Sequence, residues 1–277
     1  MWEWITNNFA TVVNIATAVF IFWQVKVAKE QFEESKKEYQ WRNRKEGFEA
    51  SFRLTEFYMS NVLPKSSAIL FLFGKAGWNM ALFRKIKNAD VKVFDAEEAT
   101  EILGSDNGKI VKDIQRVISG LDIDVLLEAI SSARGVTISQ AYAEYVVPVL
   151  SRLGSNDKGE MVDDKIIAIV RKELFVLIWG EIVSLMNELE YFSMYFNSAL
   201  ASDKGVYDSL HPTYIDVVCL CYPLLCSKNT RATSSRRYYT NVRDLYVRWR
   251  NREKEIEAKT KRNLESEIFF ESLEKKL

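Results

Sequence analysis

An uninterrupted run of uncharged residues near its start constrains this chain more than any other feature. Residues 4–25 contain no Asp, Glu, Lys or Arg over 22 positions. A helix of that length crosses a hydrocarbon core of about 30 Å. Trp2, Trp4 and Trp23 lie near its two ends, where amphipathic rings favour the membrane interface. The run therefore predicts an N-terminal transmembrane helix.

The residues on either side of this run predict its fate and its orientation. No Lys or Arg precedes it and no small-x-small site follows Trp23, so we interpret it as a retained anchor and not as a cleaved signal peptide. Because positive residues stay on the cytoplasmic side, the basic flank that follows predicts a single-pass inner-membrane protein with its N-terminus outside and its C-terminal domain cytoplasmic. The same cations favour contact with anionic membrane lipid. They are Lys26, Lys29, Lys36, Lys37, Arg42, Arg44 and Lys45.

One face of the predicted anchor is polar or small. Asn7, Thr11, Asn14 and Ala18 follow one another at spacings of 4, 3 and 4, which places them on one side of a helix. Asparagine in lipid needs a polar partner, and small residues allow helices to approach closely. This pattern predicts a homo-oligomer. The alternative is a weakly hydrophobic anchor whose Asn7 lies at the interface.

Glycine and proline are scarce in the remaining sequence, with 11 and 4 residues, and long stretches show helical periodicity. We therefore predict an all-α protein, with the transmembrane helix followed by a cytoplasmic multi-helix bundle. The expected parts are the anchor (1–25), a juxtamembrane linker helix (26–63), a cytoplasmic helical domain (64–250) and a charged C-terminal helix (251–277).

Local signals predict where the helices begin and end. The linker helix ends near Pro64, and the later helices have capping residues such as Asp95 and Asp203. The predicted helices after the linker cover 65–87, 95–103, 109–119, 122–132, 137–153 with a bend at Pro148, 163–199, 203–226 and 236–276. Loops are expected at 154–160 and 227–235.

The long helix at 163–199 admits two interpretations. Its apolar part, 166–187, has the length of a second membrane span, which would make the protein two-pass. Arg171, Lys172, Glu173 and Glu181 would be costly near the centre of a bilayer. We therefore interpret it as the central helix of the cytoplasmic core. The run YIDVVCLCYPLLC, in the next helix, is expected to be too short to span.

Residues with catalytic or metal-binding chemistry are few. The sequence contains no phosphate-binding loop, no G-x-G-x-x-G and no H-E-x-x-H, and its one histidine is His211. Cys219, Cys221 and Cys226 lie in an apolar segment and are expected to be buried, reduced thiols, with a metal site as the alternative. Carboxylates on charged faces are expected to be solvated, namely Asp163, Asp164, Glu188 and Glu190. We expect no enzyme activity, no metal and no cofactor.

A basic segment lies near the C-terminus. Residues 231–262 hold eleven Lys or Arg and only four acidic residues, with Tyr238, Tyr239, Tyr246 and Trp249 between them. Arginines with aromatic residues suit phosphates and stacked bases of nucleic acid, and they also suit anionic lipid or an acidic protein. The alternative is an ordinary amphipathic helix with its aromatics in the core. The candidate anionic contacts are Arg231, Arg236, Arg237, Arg243, Arg248 and Arg250.

Two stretches resemble a known group of proteins. Residues 31–58 resemble small bacterial and phage proteins of unassigned function, which have an N-terminal membrane helix, a charged linker helix and a W-N-R-R-like motif. The motif here is Trp41–Arg42–Asn43–Arg44–Lys45, in altered order. Residues 187–210 and 236–249 are similar to the helices that close the domain in that family. Residues 65–160 carry no such resemblance.

Proteins of this build also resemble the membrane effectors of bacterial antiphage systems, including retron-type systems. The resemblance implies a toxin held silent by a partner complex, often a reverse transcriptase with its RNA–DNA product, that damages the inner membrane when released. It implies no catalytic residue. We expect such an antiviral defence effector. The alternative is a non-enzymatic, membrane-tethered scaffold that binds a protein, or nucleic acid through residues 231–262.

Overall fold

The computed structural model describes residues 2–75, 80–153, 164–229 and 237–274, and for 2–25, 27, 28, 40, 43, 80 and 264–274 it describes the backbone alone. Within these ranges every regular element is helical and no strand occurs, which confirms the predicted all-α class. The chain divides into two compact units, residues 1–49 and residues 50–277, each of which is described by itself. The predicted domain boundaries are finer than this division and stay predictions.

Eleven α-helices follow one another in the described ranges. They are α1 (Trp2–Phe57), α2 (Leu63–Lys75), α3 (Met80–Asn88), α4 (Ala96–Leu103), α5 (Asn107–Ser119), α6 (Ile123–Arg134), α7 (Ile138–Ala141), α8 (Val147–Arg152), α9 (Asp164–Asn197), α10 (Tyr207–Lys228) and α11 (Thr240–Glu274).

The first unit is the N-terminal part of α1. Its charged residues from Lys26 to Glu49 are all exposed. Lys45 Nζ lies 3.9 Å from a carboxylate oxygen of Glu49 one turn later, a surface pair that stabilises a helix by a few tenths of a kcal/mol. The predicted transmembrane helix falls on residues 2–25, whose backbone is helical but whose side chains lie outside the described residues. The membrane span therefore stays a prediction.

The core of the second unit is built on α9, α10 and α11. The fully buried ring of Trp249, on α11, lies edge-to-face against Phe192 and Phe196 of α9, with ring centroids 6.3 and 5.7 Å away. Tyr207 and Tyr214 of α10 contact the same ring at 5.6 and 5.1 Å. Edge-to-face pairs add about 0.5–1.5 kcal/mol each to the burial of apolar area. This aromatic cluster holds the three helices together.

Two wide helical turns occur where prolines follow. Residues Tyr58–Val62 form a π-helical turn just before Pro64, and Tyr142–Val146 form another just before Pro148. Proline has no N–H to donate to the carbonyl four residues earlier, and its ring crowds that carbonyl. A widened turn accommodates both effects without ending the helical path. The predicted helix end near Pro64 is wrong, because the helical path continues into α2, while the second wide turn lies where the sequence predicts a bend.

One carboxylate organises the connection between α3 and α4. Glu98 accepts backbone N–H hydrogen bonds from Lys92, Val93 and Phe94 at 2.6, 2.9 and 2.8 Å. The hydroxyl of Tyr222, on α10, donates to the same carboxylate at 3.0 Å. Phe94 adopts a left-handed conformation with φ of 61° and is buried. Glu98 thus satisfies three backbone donors of an irregular turn and ties it to the core helix.

The predicted caps and loops have mixed outcomes. Asp95 is confirmed as the cap of α4, because its side chain accepts the N–H of Glu98. Asp203 is wrong as a cap: the hydroxyl of Ser202 takes that role, accepting the N–H of Lys204 at 3.4 Å at the start of a 3-10 turn. The predicted helix over 65–87 is described in two parts, α2 up to Lys75 and α3 from Met80. Residues 76–79 between them, and the predicted loop at 154–160, lie outside the described residues. The predicted loop at 227–235 begins too early, because residues 227 and 228 belong to α10; its part at 230–235 lies outside the described residues.

Helix α10 is apolar and long enough to cross a membrane, which corrects the expectation that its apolar run is too short. It covers 22 residues, and 72% of its most apolar window is buried inside the bundle. A helix that is apolar on all sides and packed against other helices is typical of a protein core. Helix α9 contains no stretch that is both long and apolar enough to cross a membrane.

Candidate functional site

The predicted self-association face lies on the first half of α1. Asn7, Thr11, Asn14 and Ala18 all fall within its continuous helix. Their side chains lie outside the described residues, so the packing of this face stays a prediction. The helical backbone is the condition that their spacing requires, because only a helix brings these positions to one side.

Large aromatic residues are exposed in the segment that follows. We name residues 26–49 the juxtamembrane segment. Phe32, Tyr39, Trp41 and Phe48 in this segment have 67, 66, 64 and 59% of their surface exposed. The ammonium group of Lys45 lies 5.7 Å from the ring centroid of Trp41. Isolated apolar side chains on a surface are ordinary, but four large aromatic residues within two dozen positions are typical of an interaction surface.

The four aromatic residues form two rows on opposite sides of the helix. Phe32 and Tyr39 are seven residues apart, as are Trp41 and Phe48. Seven residues are close to two full turns, so each pair forms a row along the helix axis. Tyr39 and Phe48 are nine residues apart, which corresponds to a rotation of about 180°. The juxtamembrane segment therefore presents two separate apolar edges.

The first of the predicted anionic contacts lie close to the beginning of α11. Arg231 and Arg236 lie outside the described residues. Arg237 is described, and its guanidinium is 3.7 Å from a carboxylate oxygen of Asp95, the cap of α4. Tyr238 beside it is 63% exposed. Arg237 therefore already has an intramolecular acidic partner.

Two further arginines of the predicted set also face acidic residues. Arg243 Nη2 lies 2.6 Å from a carboxylate oxygen of Asp244. Arg248 Nε lies 3.3 Å from Asp203, and its Nη1 donates to the side chain of Asn197 at 3.2 Å. Partly exposed pairs of this kind are individually weak and exchange readily. They lower the local positive charge available to a polyanion without removing it.

The last predicted arginine is used inside the fold. Arg250 donates from Nη2 to the main-chain carbonyl of Lys87 at 2.6 Å, and from Nη1 to the carboxylate of Glu253. Tyr246 and Trp249, two of the interleaved aromatics, are 1% and 0% exposed. Neither ring is accessible to a nucleic-acid base. Tyr246 and Trp249 thus enter the core, as the amphipathic-helix alternative expects, whereas Tyr238 stays exposed.

The one histidine belongs to a stack of side chains on α10 and α11. The rings of His211 and Tyr207 are parallel with centroids 4.2 Å apart, and the guanidinium carbon of Arg252 lies 3.8 Å from the centroid of Tyr207. Two groups this close to one ring must cover its two faces. His211 Nδ1 is also 2.8 Å from the carbonyl oxygen of Tyr207. Packing against Tyr207 therefore accounts for the position of His211.

The three cysteines are buried and unpaired, as predicted. Burial raises the pKa of the Cys219 thiol to about 11 and that of Cys221 to about 12, and it raises the pKa of Cys226 as well. Nucleophilic and metal-binding cysteines need the thiolate, which burial in apolar surroundings disfavours. Among the described residues, no three His, Cys, Asp or Glu side chains cluster in a way that suits a metal ion.

A largely buried ionic cluster joins α2, α6 and α9. The ammonium of Lys65 pairs with Glu188, lies 3.7 Å from Glu181 and donates to Ser184 Oγ at 3.0 Å. Ser184 in turn donates to Glu188 at 3.0 Å, and Arg134 lies 2.7 Å from Glu181. Side-chain exposures of Lys65, Glu181 and Glu188 are only 14, 14 and 18%. The expectation that Glu188 is solvated is therefore wrong.

The other carboxylates singled out by sequence differ from one another. Glu190 is also not simply solvated, because it accepts the backbone N–H groups of Asn241 and Val242 at 3.2 and 3.0 Å. These are orphan donors in the first turn of α11, where a negative charge also complements the helix dipole. Asp164 is exposed, as expected, and Asp163 lies outside the described residues. Both glutamates have structural roles that sequence reasoning missed.

Comparison with known proteins found no relative of this chain. No protein-family model, no curated protein and no solved structure matches the chain.

Proposed function

We propose that this protein is a membrane-anchored effector of a bacterial antiphage defence system. Its N-terminal helices assemble in the inner membrane and perturb it, and a partner complex bound to the cytoplasmic bundle controls that assembly. The observation that carries this proposal is the exposure of Phe32, Tyr39, Trp41 and Phe48 on a helix that is continuous with the predicted span. The resemblance to retron-type effectors supports the same class of function.

The exposed aromatic area is large enough to drive assembly. About 60% of each ring-bearing side chain is exposed, which amounts to roughly 500 Å² over the four residues, or on the order of 10 kcal/mol of transfer free energy if fully buried. Ordering of side chains and loss of translational freedom oppose most of this gain. Anchoring in a membrane reduces that entropic cost, because anchored copies are already confined and aligned. The juxtamembrane segment is thus suited to association within a bilayer.

A second copy suits these aromatic rows better than the lipid surface does. The juxtamembrane segment contains seven basic and six acidic residues distributed around the helix. A helix that lies in the membrane interface instead has a separate basic polar face and one apolar face. Two apolar rows about 180° apart let each helix contact one neighbour on either side, so association extends beyond a dimer and forms a ring where the rotation between neighbours closes. A ring of anchors is an arrangement suited to membrane perturbation.

The proposal includes no enzymatic activity. The cysteines are buried with raised pKa, His211 is stacked on Tyr207, and the buried carboxylates are used by Lys65, Arg134 and the start of α11. These roles support a chain whose polar groups serve the fold. The scaffold alternative, with nucleic acid bound at residues 231–262, has less support, because its described arginines have intramolecular partners and two of its aromatics are buried.

The test measures membrane damage by the full-length chain. Induced expression should place the protein in the membrane fraction and depolarise the cells. Trp41→Glu with Phe48→Glu should abolish depolarisation while the protein remains in the membrane fraction, and Asn14→Leu should weaken it. Tyr238→Glu, which changes an exposed aromatic residue of the bundle, serves as the matched control and should leave depolarisation intact.

Two results would contradict the proposal. The first is full-length protein in the soluble fraction after lysis and ultracentrifugation, because this would show that residues 4–25 do not anchor the chain. The second is equal depolarisation by the parent and the double glutamate variant, because this would show that the aromatic rows are not the assembly surface. Harmless expression together with salt-sensitive binding of nucleic acid would favour the scaffold alternative instead.

A further inference from the structure

A cavity of about 320 Å³ opens on the surface of the helical bundle. One wall is a stripe of α2 formed by Leu63, Ser66, Ser67 and Leu70, and Phe83 of α3 contributes to the same cavity. Leu70 is 48% exposed, which is high for a leucine. The spacing of 0, 3, 4 and 7 residues places all four α2 residues on one helix face.

The facing wall repeats this spacing on α10. Thr213, Asp216, Val217 and Leu220 line the cavity, again at relative positions 0, 3, 4 and 7. Seven residues of helix rise about 10 Å, so each wall is two turns long. The cavity is therefore a short trough between two helices, with apolar side chains along it and hydroxyl groups on both walls.

The polar groups in the trough are few and mostly engaged. Ser66 donates its hydroxyl hydrogen to the carbonyl of Leu63 at 2.8 Å, and Thr213 donates to the carbonyl of Leu210 at 3.0 Å. Asp216 is held by Lys87 Nζ at 2.6 Å, with side-chain exposures of 46 and 39%. The half-exposed ion pair gives one polar edge at the surface, and the interior of the trough has little to offer a polar molecule.

A buried hydroxyl group lies near this trough. Tyr58 is completely buried, and its hydroxyl has no hydrogen-bond partner within the described part of the chain. Burial raises the pKa of Tyr58, and the side chain of Thr213, a lining residue, lies close enough to that hydroxyl to lower the pKa. An unsatisfied buried hydroxyl costs about 1–3 kcal/mol, which natural proteins usually offset with a partner. Tyr58 is fully buried and does not line the trough, so its hydroxyl gives an occupant no polar contact.

We propose that this trough binds a single acyl chain. Its volume is at the lower end of the range for small-molecule sites, which are concave, mostly apolar and carry a few polar groups. A protein partner would need an interface of about 800 Å² on each side, far more than a trough two helical turns long provides. An inserted peptide strand would leave its N–H and C=O groups unpaired against helical walls. A hydrocarbon chain has no such groups.

The direction of the bound chain follows from the polar groups. The apolar length of the chain lies along Leu63, Leu70, Val217 and Leu220. Its polar end lies at the surface beside the half-exposed ion pair of Lys87 and Asp216, where solvent is present. This chemistry is shared by a free fatty acid and by one acyl chain of a membrane phospholipid. The inference does not depend on the proposed function, because either source requires only the trough.

The test is photolabelling of the full-length protein in membranes of the expressing cells. One arm uses a photoreactive fatty acid, and a second uses a phospholipid with the same photoreactive chain. Peptides are then mapped by mass spectrometry, which separates labelling of the bundle from labelling of α1. We expect labelled peptides that contain residues 63–70 or 213–220. Labelling from the first arm alone identifies a free fatty acid, and labelling from the second alone identifies a membrane lipid.

Variants that fill the trough show whether labelling depends on the trough itself. Ser67 and Thr213 are exposed lining residues, so Ser67→Trp and Thr213→Trp should occupy the trough without disturbing the core, and each should cause loss of labelling at these peptides. Ser209→Trp, an exposed serine of α10 outside the trough, should retain it. Protection of the buried cysteines from a maleimide confirms that each variant is folded. Labelling that persists in both filled variants, or no labelling of these peptides in either arm, would overturn the inference.

Discussion

Replacing Glu98 by alanine removes the acceptor that organises the turn between α3 and α4. Its carboxylate receives three backbone N–H groups and the hydroxyl of Tyr222 at 2.6 to 3.0 Å. A hydrogen bond to a charged group contributes about 1.5–3 kcal/mol, but the bonds share one carboxylate and the N–H of Lys92 is exposed, so they do not add fully. We expect Glu98→Ala to lower the free energy of unfolding by about 3 kcal/mol.

Two milder substitutions separate the contributions to this loss of stability. Glu98→Gln keeps one acceptor oxygen but turns an NH₂ group toward donors that need an acceptor, so we expect a loss of about 2 kcal/mol. Tyr222→Phe removes only the hydroxyl bond from α10 and should cost about 1 kcal/mol. Glu101, one turn later on α4 and exposed, provides the matched control. Glu101→Ala should change stability by less than about 0.5 kcal/mol.

The buried cysteines provide the assay. All three thiols are buried and free, so a maleimide reacts with them only when the bundle opens. Labelling of the full-length protein in membranes across a urea series therefore reports the unfolding midpoint. We expect Glu101→Ala to unfold at the same urea concentration as the parent. The midpoints should then decrease in the order Tyr222→Phe, Glu98→Gln and Glu98→Ala. Equal midpoints for Glu98→Ala and Glu101→Ala would refute the role assigned to this carboxylate.

Three further perturbations follow from the core and its charges. Lys65→Met should cost about 3 kcal/mol because it leaves the buried carboxylate of Glu188 without its cation, and adding Glu188→Leu should recover part of that loss. A double variant less stable than Lys65→Met would contradict the pairing. Trp249→Ala should cost about 3–5 kcal/mol by thiol labelling, and a loss below about 1 kcal/mol would contradict the central place of the aromatic cluster. The pKa of Cys219 is raised from 9.0 to about 11, so the unfolded chain loses a proton between these values that the folded chain keeps. Stability should therefore fall as pH rises from 9 to 11, and tryptophan-fluorescence unfolding of Cys219→Ala should show a shallower decline than the parent.

The helical architecture was readable from the sequence because its signals are local. Scarce glycine and proline, apolar residues at helical spacing and a cap such as Asp95 act within a few residues of the chain. Proline is a local signal of the same kind, and a wide helical turn precedes both Pro64 and Pro148. The predicted membrane span has the same origin, since it depends on the composition of one continuous run of residues.

The polar interior was decided by tertiary structure. Lys65 and Glu188 are 123 residues apart, and Glu98 and Tyr222 are 124 apart. Sequence periodicity reports that a residue faces the core or the solvent, but it does not report which charge from a distant helix arrives beside it. Glu188 and Glu190 therefore looked solvated. Their burial depends on the packing of α9 against α2 and α11, which brings distant donors within hydrogen-bonding distance of each carboxylate.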